Sequence, residues 1–168
     1  MYLTSLTKEQ CEQVRIWRND DISMLRTPFF LTKEMQETFY NNVICNRNSE
    51  HRYYAIVTDD RKDFIGMGGL TNISLENRSA EISLIINPEY RLKGYGIKSV
   101  ILLLEEGFKR INLDNIYGEC YTCSQALRFW EKVILRLDAF KTVLPKRKYY
   151  DGKYFNALYF NFEKDVIK

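Results

Sequence analysis

The sequence predicts a mixed α/β fold, with a mixed sheet of about seven strands and four helices. Three observations predict it. The apolar patterns follow the order β-α-α-β-β-β-α-β-α-β-β. Three consecutive strands with short turns in the middle predict an antiparallel meander. The strand, helix and strand that follow predict a parallel crossover, and this combination does not fit a doubly wound parallel sheet.

The amino-terminal part predicts one strand and two helices. Residues 2–6 alternate between apolar and polar side chains, as a half-buried strand does. Thr7, with Gln10 three residues later, forms a capping box for the first helix. Thr32 then caps the second helix. Between the helices, Thr27-Pro28 predicts an extended or turn geometry, because the residue before proline avoids helical dihedral angles.

The rest of the chain predicts the sheet and two further helices. Strands are predicted over residues 53–57, 64–70, 80–86, 115–121, 139–144 and 155–162. A strongly apolar helix covers residues 97–108, and the last helix carries an apolar stripe over residues 126–137. Tyr150-Asp151-Gly152-Lys153 is a strong hairpin signal. The sequence shows no internal repeat and no linker, so a single domain over residues 1–168 is expected.

Composition excludes several classes of protein. Hydrophobic residues are 45% and charged residues 28% of the chain, which supports a packed core and argues against disorder. The net charge of +3 is too small to indicate nucleic-acid binding. No apolar run approaches the roughly 18 residues of a membrane span, and no leader precedes the first strand, so a cytoplasmic protein is expected. Cys120-x-x-Cys123 lacks the further ligands of a zinc site, so we expect no metal.

The most informative stretch is Arg91-Leu92-Lys93-Gly94-Tyr95-Gly96, which joins a strand to a helix. The first amides of a helix have no partners within it, and the helix dipole favours negative charge there. Glycine lets the backbone approach a ligand closely, and the basic side chains add charge. This turn therefore predicts a pyrophosphate site. It is not a dinucleotide fingerprint, because Ser99 stands at the third glycine position.

This Arg-x-x-Gly-x-Gly pattern, with Asn87-Pro88-Glu89-Tyr90 before it and an apolar helix behind it, resembles the acetyl-CoA-binding motif of the GNAT superfamily of N-acetyltransferases. The resemblance covers nearly the whole chain. It implies the GNAT fold, a mixed sheet splayed near its centre. It also implies acetyl-CoA as the cofactor, and direct transfer of the acetyl group to a primary amine without a covalent enzyme intermediate.

The resemblance implies roles for the strand before the motif and for the motif itself. In the family this strand holds the pantetheine arm through its main chain and offers an amide to the thioester oxygen. Carried over, the strand role falls to Leu84, Ile85 and Ile86, with Ile85 as the catalytic amide. The pyrophosphate would be held by Arg91, Leu92, Lys93, Gly94, Tyr95 and Gly96, with Ile97 and Lys98 opening the helix. Glu81 resembles the family's general base, and a surface ion pair is the alternative interpretation.

The last helix resembles the family's second cofactor region, which implies Cys123, Trp130 and Lys132 as cofactor contacts. Cys123 and Trp130 stand where the family often has asparagine and tyrosine. Tryptophan cannot protonate the leaving thiolate, since its indole N–H is not acidic. Tyr121 is therefore the predicted acid, and Tyr117 or a water is the alternative.

The acceptor is predicted from the first helix. Trp17-Arg18-Asn19, followed by Arg26, resembles the branch that contains ribosomal-protein-alanine and amino-sugar N-acetyltransferases, which implies Trp17, Arg18 and Arg26 as acceptor-binding residues. The expected acceptor is an amino sugar linked to a nucleotide, or another small amine. The protein is expected to be a monomer or a homodimer. The alternatives are acetylation of a protein N-terminus and a GNAT-like module that binds a nucleotide or RNA without catalysis.

Overall fold

The computed structural model describes residues 1–20, 22, 26 and 29–166. The predicted geometry at Thr27-Pro28 therefore lies outside the described residues. Within these residues, seven strands are formed: β1 (Tyr2–Thr4), β2 (Arg52–Val57), β3 (Phe64–Ser74), β4 (Ser79–Ile86), β5 (Asn115–Tyr121), β6 (Phe140–Tyr150) and β7 (Lys153–Glu163). The same described residues form four α-helices: α1 (Lys8–Asp20), α2 (Lys33–Phe39), α3 (Tyr95–Glu105) and α4 (Leu127–Arg136).

The strands form one sheet in the order β1-β2-β3-β4-β5-β7-β6. Neighbouring strands are antiparallel except β4 and β5, which run parallel on either side of the crossover helix α3. The predicted mixed α/β fold, a splayed mixed sheet of seven strands with four helices, is confirmed by this arrangement.

Two apolar clusters cover opposite faces of the sheet. The larger cluster joins α3 and α4 to the sheet through residues such as Val100, Leu103 and Phe160. The smaller one joins α1 to the sheet through Val14 and Met67. Side chains alternate between the two faces along each strand. Residues of β4 and β5 that face away from the larger cluster are therefore directed to the side of α1 and α2.

The structure departs from the predicted elements in three places. Helices α2 and α3 each end in a wider π-helical turn, at Tyr40–Ile44 and Glu106–Ile111. Strand β6 extends to Tyr150, well past the predicted end at Leu144, through a bulge that contains Pro145. A proline is tolerated there because β6 is an edge strand, and the main-chain groups on its outer side have no neighbouring strand to bond to.

Candidate active site

A fork opens between β4 and β5. Within the part of the chain that the structure describes, their parallel ladder consists of Ser79 with Asn115, Ala80 with Ile116, and Glu81 with Tyr117. Strand β4 continues for five residues beyond Glu81 to Ile86 while it remains paired with β3. The second half of β4 therefore presents main-chain groups to the fork.

The register of β3 and β4 decides which main-chain groups face the fork. The Asn87 N–H donates to the Ile65 carbonyl at 2.9 Å, and the Glu81 carbonyl accepts from Thr71 Oγ1 at 3.2 Å. Both contacts show that the N–H and C=O groups of odd-numbered residues point toward β3. In an antiparallel pair, the main-chain groups of successive residues point alternately to the two sides of the strand. Leu84 and Ile86 consequently present their main-chain groups to the fork.

This register corrects the prediction for Ile85. Its partner in the ladder is Met67, and its carbonyl oxygen would lie 2.4 Å from a Cβ built on Gly66 of β3. The Ile85 amide thus belongs to the sheet, and its side chain packs in the smaller core cluster. Of the neighbouring main-chain amides of β4, the one that faces the fork is that of Leu84.

The predicted pyrophosphate turn lies between the fork and α3. Gly94 caps α3 with a left-handed backbone (φ 82°), and a Cβ built there meets nothing within 4 Å. Leu92 is also left-handed (φ 60°) and its side chain is exposed. Arg91 Nε donates to the Ile86 carbonyl at 3.2 Å, which fixes the turn to the end of β4. Arg91 and Lys93 are exposed, Tyr95 and Ile97 half-buried, and Lys98 exposed. The open space and the free helix start fit a bound diphosphate.

The start of α4 packs against the start of α3. A Cβ built on Gly96 would lie 2.8 Å from Cε2 of Phe129, so glycine is needed for the two helices to meet. The sequence did not predict this contact of Phe129, because the resemblance pointed to the neighbouring Trp130. Trp130 lies in the larger core cluster, and its ring stacks on that of Phe160 with centroids 4.6 Å apart. This position in the core corrects its interpretation as a cofactor contact. Cys123 is half-buried in the turn before α4 and Lys132 is exposed on it.

Glu81 lies at the apex of the fork and is only 8% exposed. Its Oε2 atom accepts two hydrogen bonds, from Asn72 Nδ2 at 3.1 Å and from Arg26 Nη1 at 3.0 Å. Its Oε1 atom forms an ion pair with Arg26. The predicted base and the predicted acceptor residue Arg26 are therefore neighbours. A buried carboxylate with hydrogen-bond donors on two sides is well oriented for accepting a proton.

Two tyrosines of β5 lie near the pair formed by Glu81 and Arg26. Tyr117 pairs with Glu81 across the ladder and stacks on Tyr159, with ring centroids 6.0 Å apart. Burial raises the pKa of Tyr117, and the negative charge of Glu81 raises it further. Burial also raises the pKa of Tyr121, while the charge of Arg26 opposes that shift. Both phenols therefore keep their proton near neutral pH and are able to act as acids.

The three predicted acceptor residues have different surroundings. Trp17 stacks on Phe64 at 5.5 Å and lines a cleft of 490 Å³ beside Asn87–Glu89, at the far end of β4 from Glu81. Arg18 lies near Tyr53, and burial lowers the pKa of its guanidinium. Its Nε is buried without a hydrogen-bond partner among the described residues.

Comparison with known proteins identifies the family. The family model described as acetyltransferase (GNAT) domain matches residues 1–128. The chain belongs to this family. Membership confirms the predicted enzyme class, N-acetyltransferase, and acetyl-CoA as its cofactor.

Two curated relatives and one solved structure refine the comparison. A spermidine N(1)-acetyltransferase of Vibrio cholerae is 32% identical over 90 residues, which are 54% of this chain and 50% of that protein. The chain thus matches half of that relative's length. An uncharacterized N-acetyltransferase of Bacillus subtilis, YnaD, is 27% identical over 129 residues, 76% of this chain and 74% of that protein. The crystal structure of the Vibrio cholerae spermidine N-acetyltransferase with CoA and spermine superposes with a TM-score of 0.86 at 21% identity, covering 98% of this chain and 96% of that chain.

These relatives correct the predicted branch. The relative whose acceptor is named acts on spermidine, so the ribosomal-protein-alanine and amino-sugar branch inferred from Trp17-Arg18-Asn19 is not supported, nor is an amino-sugar acceptor. Among the described residues, no helix is long and apolar enough to cross a membrane. Over the same residues, no group of three or more histidine, cysteine or acidic side chains is arranged to hold a metal ion.

Proposed function

We propose that this protein uses acetyl-CoA to acetylate a primary amine of a small polyamine of the spermidine type. The observation that carries the proposal is the fork: β4 separates from β5 after Glu81 and continues, through the turn that contains Arg91 and Gly94, to the start of α3. An open strand edge beside an anion-binding turn suits a long cofactor with a diphosphate at one end. The identity of 32% with a spermidine N(1)-acetyltransferase supports the acceptor class.

Binding of acetyl-CoA would use main-chain groups more than side chains. Leu84 and Ile86 would hold the pantetheine arm, and the amides that begin α3, with the charges of Arg91 and Lys93, would hold the diphosphate. Bound acetyl-CoA supplies an activated thioester. Leu84 takes over the role first given to Ile85, because its N–H faces the fork and can stabilise negative charge on the thioester oxygen.

Proton transfers would fall to the face that carries Glu81. An alkylammonium group must lose a proton before its nitrogen can attack, and the Glu81 carboxylate at the apex of the fork would receive it, directly or through a water. Tyr121 would return a proton to the thiolate that leaves, since burial raises its pKa and keeps it protonated. Tyr117 is the second candidate for that role.

The charges of the site limit how a polyamine lies in it. The Glu81 carboxylate attracts one ammonium group, and the rings of Tyr117 and Tyr159 offer faces to the methylene chain and to a second cation. The guanidinium of Arg18 repels a cation on the side of α1. We therefore propose that the acceptor extends from Glu81 over β5 and β7. Trp17, Arg18 and Arg26 stay proposed acceptor-side residues, the arginines acting by exclusion.

The test is acetylation of a panel of amines, followed by thiol release and mass spectrometry of the products. Spermidine, spermine and putrescine form one arm, and peptides with free amino termini form the other. We expect turnover with polyamines and a rise in melting temperature with acetyl-CoA. Glu81→Gln should lower kcat by about 100-fold, the usual contribution of general base catalysis. Glu119→Gln is the matched control, because Glu119 of β5 lies two residues from Tyr117, the ladder partner of Glu81, and is paired with Arg147 at 3.1 Å.

Three results would contradict the proposal. Turnover confined to peptides would favour acetylation of protein amino termini. Salt-sensitive RNA binding without turnover would favour a non-catalytic module. A melting temperature unchanged by acetyl-CoA would exclude cofactor binding in the fork.

A further inference from the structure

A bulge in β3 brings Asn72 to the Glu81 carboxylate. The register of β3 and β4 shifts between Thr71 and Ser74, and Asn72 has a left-handed backbone with φ 50°. Asparagine tolerates this conformation better than most residues with a side chain. Its Nδ2 donates to Glu81 Oε2 at 3.1 Å. The bulge therefore aims one amide at the proposed base.

The other side of the bulge is held by His51, the single histidine of the chain. A bulge residue lies outside the regular ladder, so its N–H needs another acceptor. The Asn72 N–H donates to His51 Nδ1 at 3.0 Å. An Nδ1 that accepts a hydrogen bond is unprotonated, and the neutral ring then carries its proton on Nε2. The His51 main chain is itself anchored, since its N–H donates to Ser49 Oγ at 3.1 Å.

The two donors to Glu81 differ in how firmly they are held. Arg26 approaches from the connection between α1 and α2, and its side chain is 49% exposed. Asn72 approaches from within the sheet and is fixed by both β3 and His51. An ammonium group that binds Glu81 competes with Arg26 for the same oxygens. Asn72 is then the donor that remains.

We propose that His51 and Asn72 are positioning residues for acetyl transfer. His51 fixes the main chain of Asn72, and the Asn72 amide holds the Glu81 carboxylate in one orientation toward the acceptor amine. This proposal rests on the proposed function, because it assigns Glu81 the proton-accepting role. Neither residue touches the reacting atoms. Their effect is through orientation, on which the rate of a positioned proton transfer depends steeply.

Two substitutions at Asn72 separate orientation from folding. Asn72→Gly keeps the left-handed backbone and removes the amide, while Asn72→Asp keeps the size and removes the donor. We expect kcat to fall by about tenfold in both, as loss of a hydrogen bond to a charged group predicts, with KM for acetyl-CoA unchanged. Asn77→Gly, at an exposed position of the same hairpin, is the matched control. Activity within about twofold of the wild type in both Asn72 variants would overturn the proposal.

The pH–rate profile supplies a readout that a structural role would not move. In Asn72→Asp a second carboxylate faces Glu81, beside Arg26, Tyr53 and Tyr117, and like charges favour protonation. The acidic limb of the profile should therefore move to higher pH in Asn72→Asp and less in Asn72→Gly. An acidic limb that stays unchanged in Asn72→Asp would count against contact with the base.

Substitutions at His51 test whether its hydrogen bond to the Asn72 N–H matters for activity. His51→Gln keeps an acceptor for the Asn72 N–H, and His51→Phe removes it. We expect His51→Gln to retain most of the activity and His51→Phe to lose about as much as Asn72→Gly. Because the two residues act through one carboxylate, the double variant should lose little more than Asn72→Gly alone. Losses that multiply would show that His51 acts elsewhere.

One measurement needs no activity and separates the two proposals. Ring ¹⁵N NMR of the single histidine, without substrate, should show an unprotonated Nδ1 and a protonated Nε2. A proton on Nδ1 would overturn the positioning role even in an active enzyme. Failure of the wild type to acetylate any amine would overturn the proposed function, whatever the state of the histidine.

Discussion

Arg26 contacts both oxygens of the Glu81 carboxylate, with Nη1 3.0 Å from Oε2 and Nη2 paired with Oε1. The glutamate side chain is 10% exposed and the arginine 49%, so the guanidinium lies on the solvent side of the base. In the proposed function, an ammonium group of the acceptor binds the same oxygens. Arg26 would then be a cation of the protein itself at the position that we propose for a substrate cation.

Arg26→Ala is therefore expected to lower the KM of an amine acceptor by several-fold, because the internal competitor is gone. Stability should fall by more than the roughly 1 kcal/mol of a fully exposed ion pair, because the Glu81 carboxylate is buried and loses a charged partner. Steady-state kinetics at fixed acetyl-CoA checks this. Methylguanidine should then inhibit the variant in competition with the amine. Arg147→Ala, which removes the partner of Glu119, is the control, and a rise in acceptor KM in Arg26→Ala would contradict the competition.

Gly94→Ala tests the left-handed start of α3. A Cβ there meets no atom within 4 Å, so the cost is that of φ 82° alone, about 1–2 kcal/mol. We expect that loss in urea unfolding, together with weaker CoA binding in calorimetry. Gly152→Ala is a matched control, because Gly152 has φ 73° and equal open space at the tip of the β6–β7 hairpin. Equal effects of the two variants on CoA affinity would argue against a cofactor role for Gly94.

Gly96→Ala tests the contact between the two helix starts. The added methyl lies 2.8 Å from Phe129 Cε2, and such overpacking costs about 1–3 kcal/mol. Phe129→Leu removes the ring edge and should recover most of the stability in the double variant. A double-mutant cycle by chemical unfolding measures the coupling. Additive losses would mean that the two residues do not share this contact.

Buried thiols predict a loss of stability in alkali. Burial raises the pKa of Cys11 from 9.0 to about 12 and that of Cys120 from 9.0 to about 11. The folded protein therefore holds these protons above pH 9, where the unfolded chain releases them. Stability is complete below that pH and falls as pH rises toward the folded-state values, by about 1 kcal/mol for each thiol near pH 10. Unfolding free energies measured across this range should fall less steeply in Cys11→Ala and Cys120→Ala, and parallel slopes would contradict the assignment.

The element order was predictable because periodicity and turn residues are local signals. The turn from Arg91 to Gly96 was recognisable for the same reason, since its chemistry lies in six consecutive residues. The direction of the Ile85 amide was not, because it depends on the pairing register of β3 and β4, which no single strand encodes. Trp130 was assigned by its position in a motif, whereas its stacking on Phe160 required the path of β7.

Contacts to Glu81 were equally hidden from the sequence. Glu81 and Tyr117 are brought together by the parallel crossover, and Arg26 reaches them from a connection between helices. The role of His51 depends on a bulge, and bulges carry weak sequence signals. The turn from Arg91 to Gly96 is therefore a local sequence feature, whereas the surroundings of Glu81 depend on the tertiary fold.

Because of the fork, amides of β4 that face it should exchange hydrogen with solvent differently from those that face β3. Amides of odd-numbered residues are bonded to β3 whether or not a ligand is present, so their hydrogen exchange should follow opening of the sheet. The amides of Leu84 and Ile86 lack that protection in the free protein. Exchange measured residue by residue should thus slow at alternate positions when CoA fills the fork, a pattern with a period of two that global tightening of the protein would not produce.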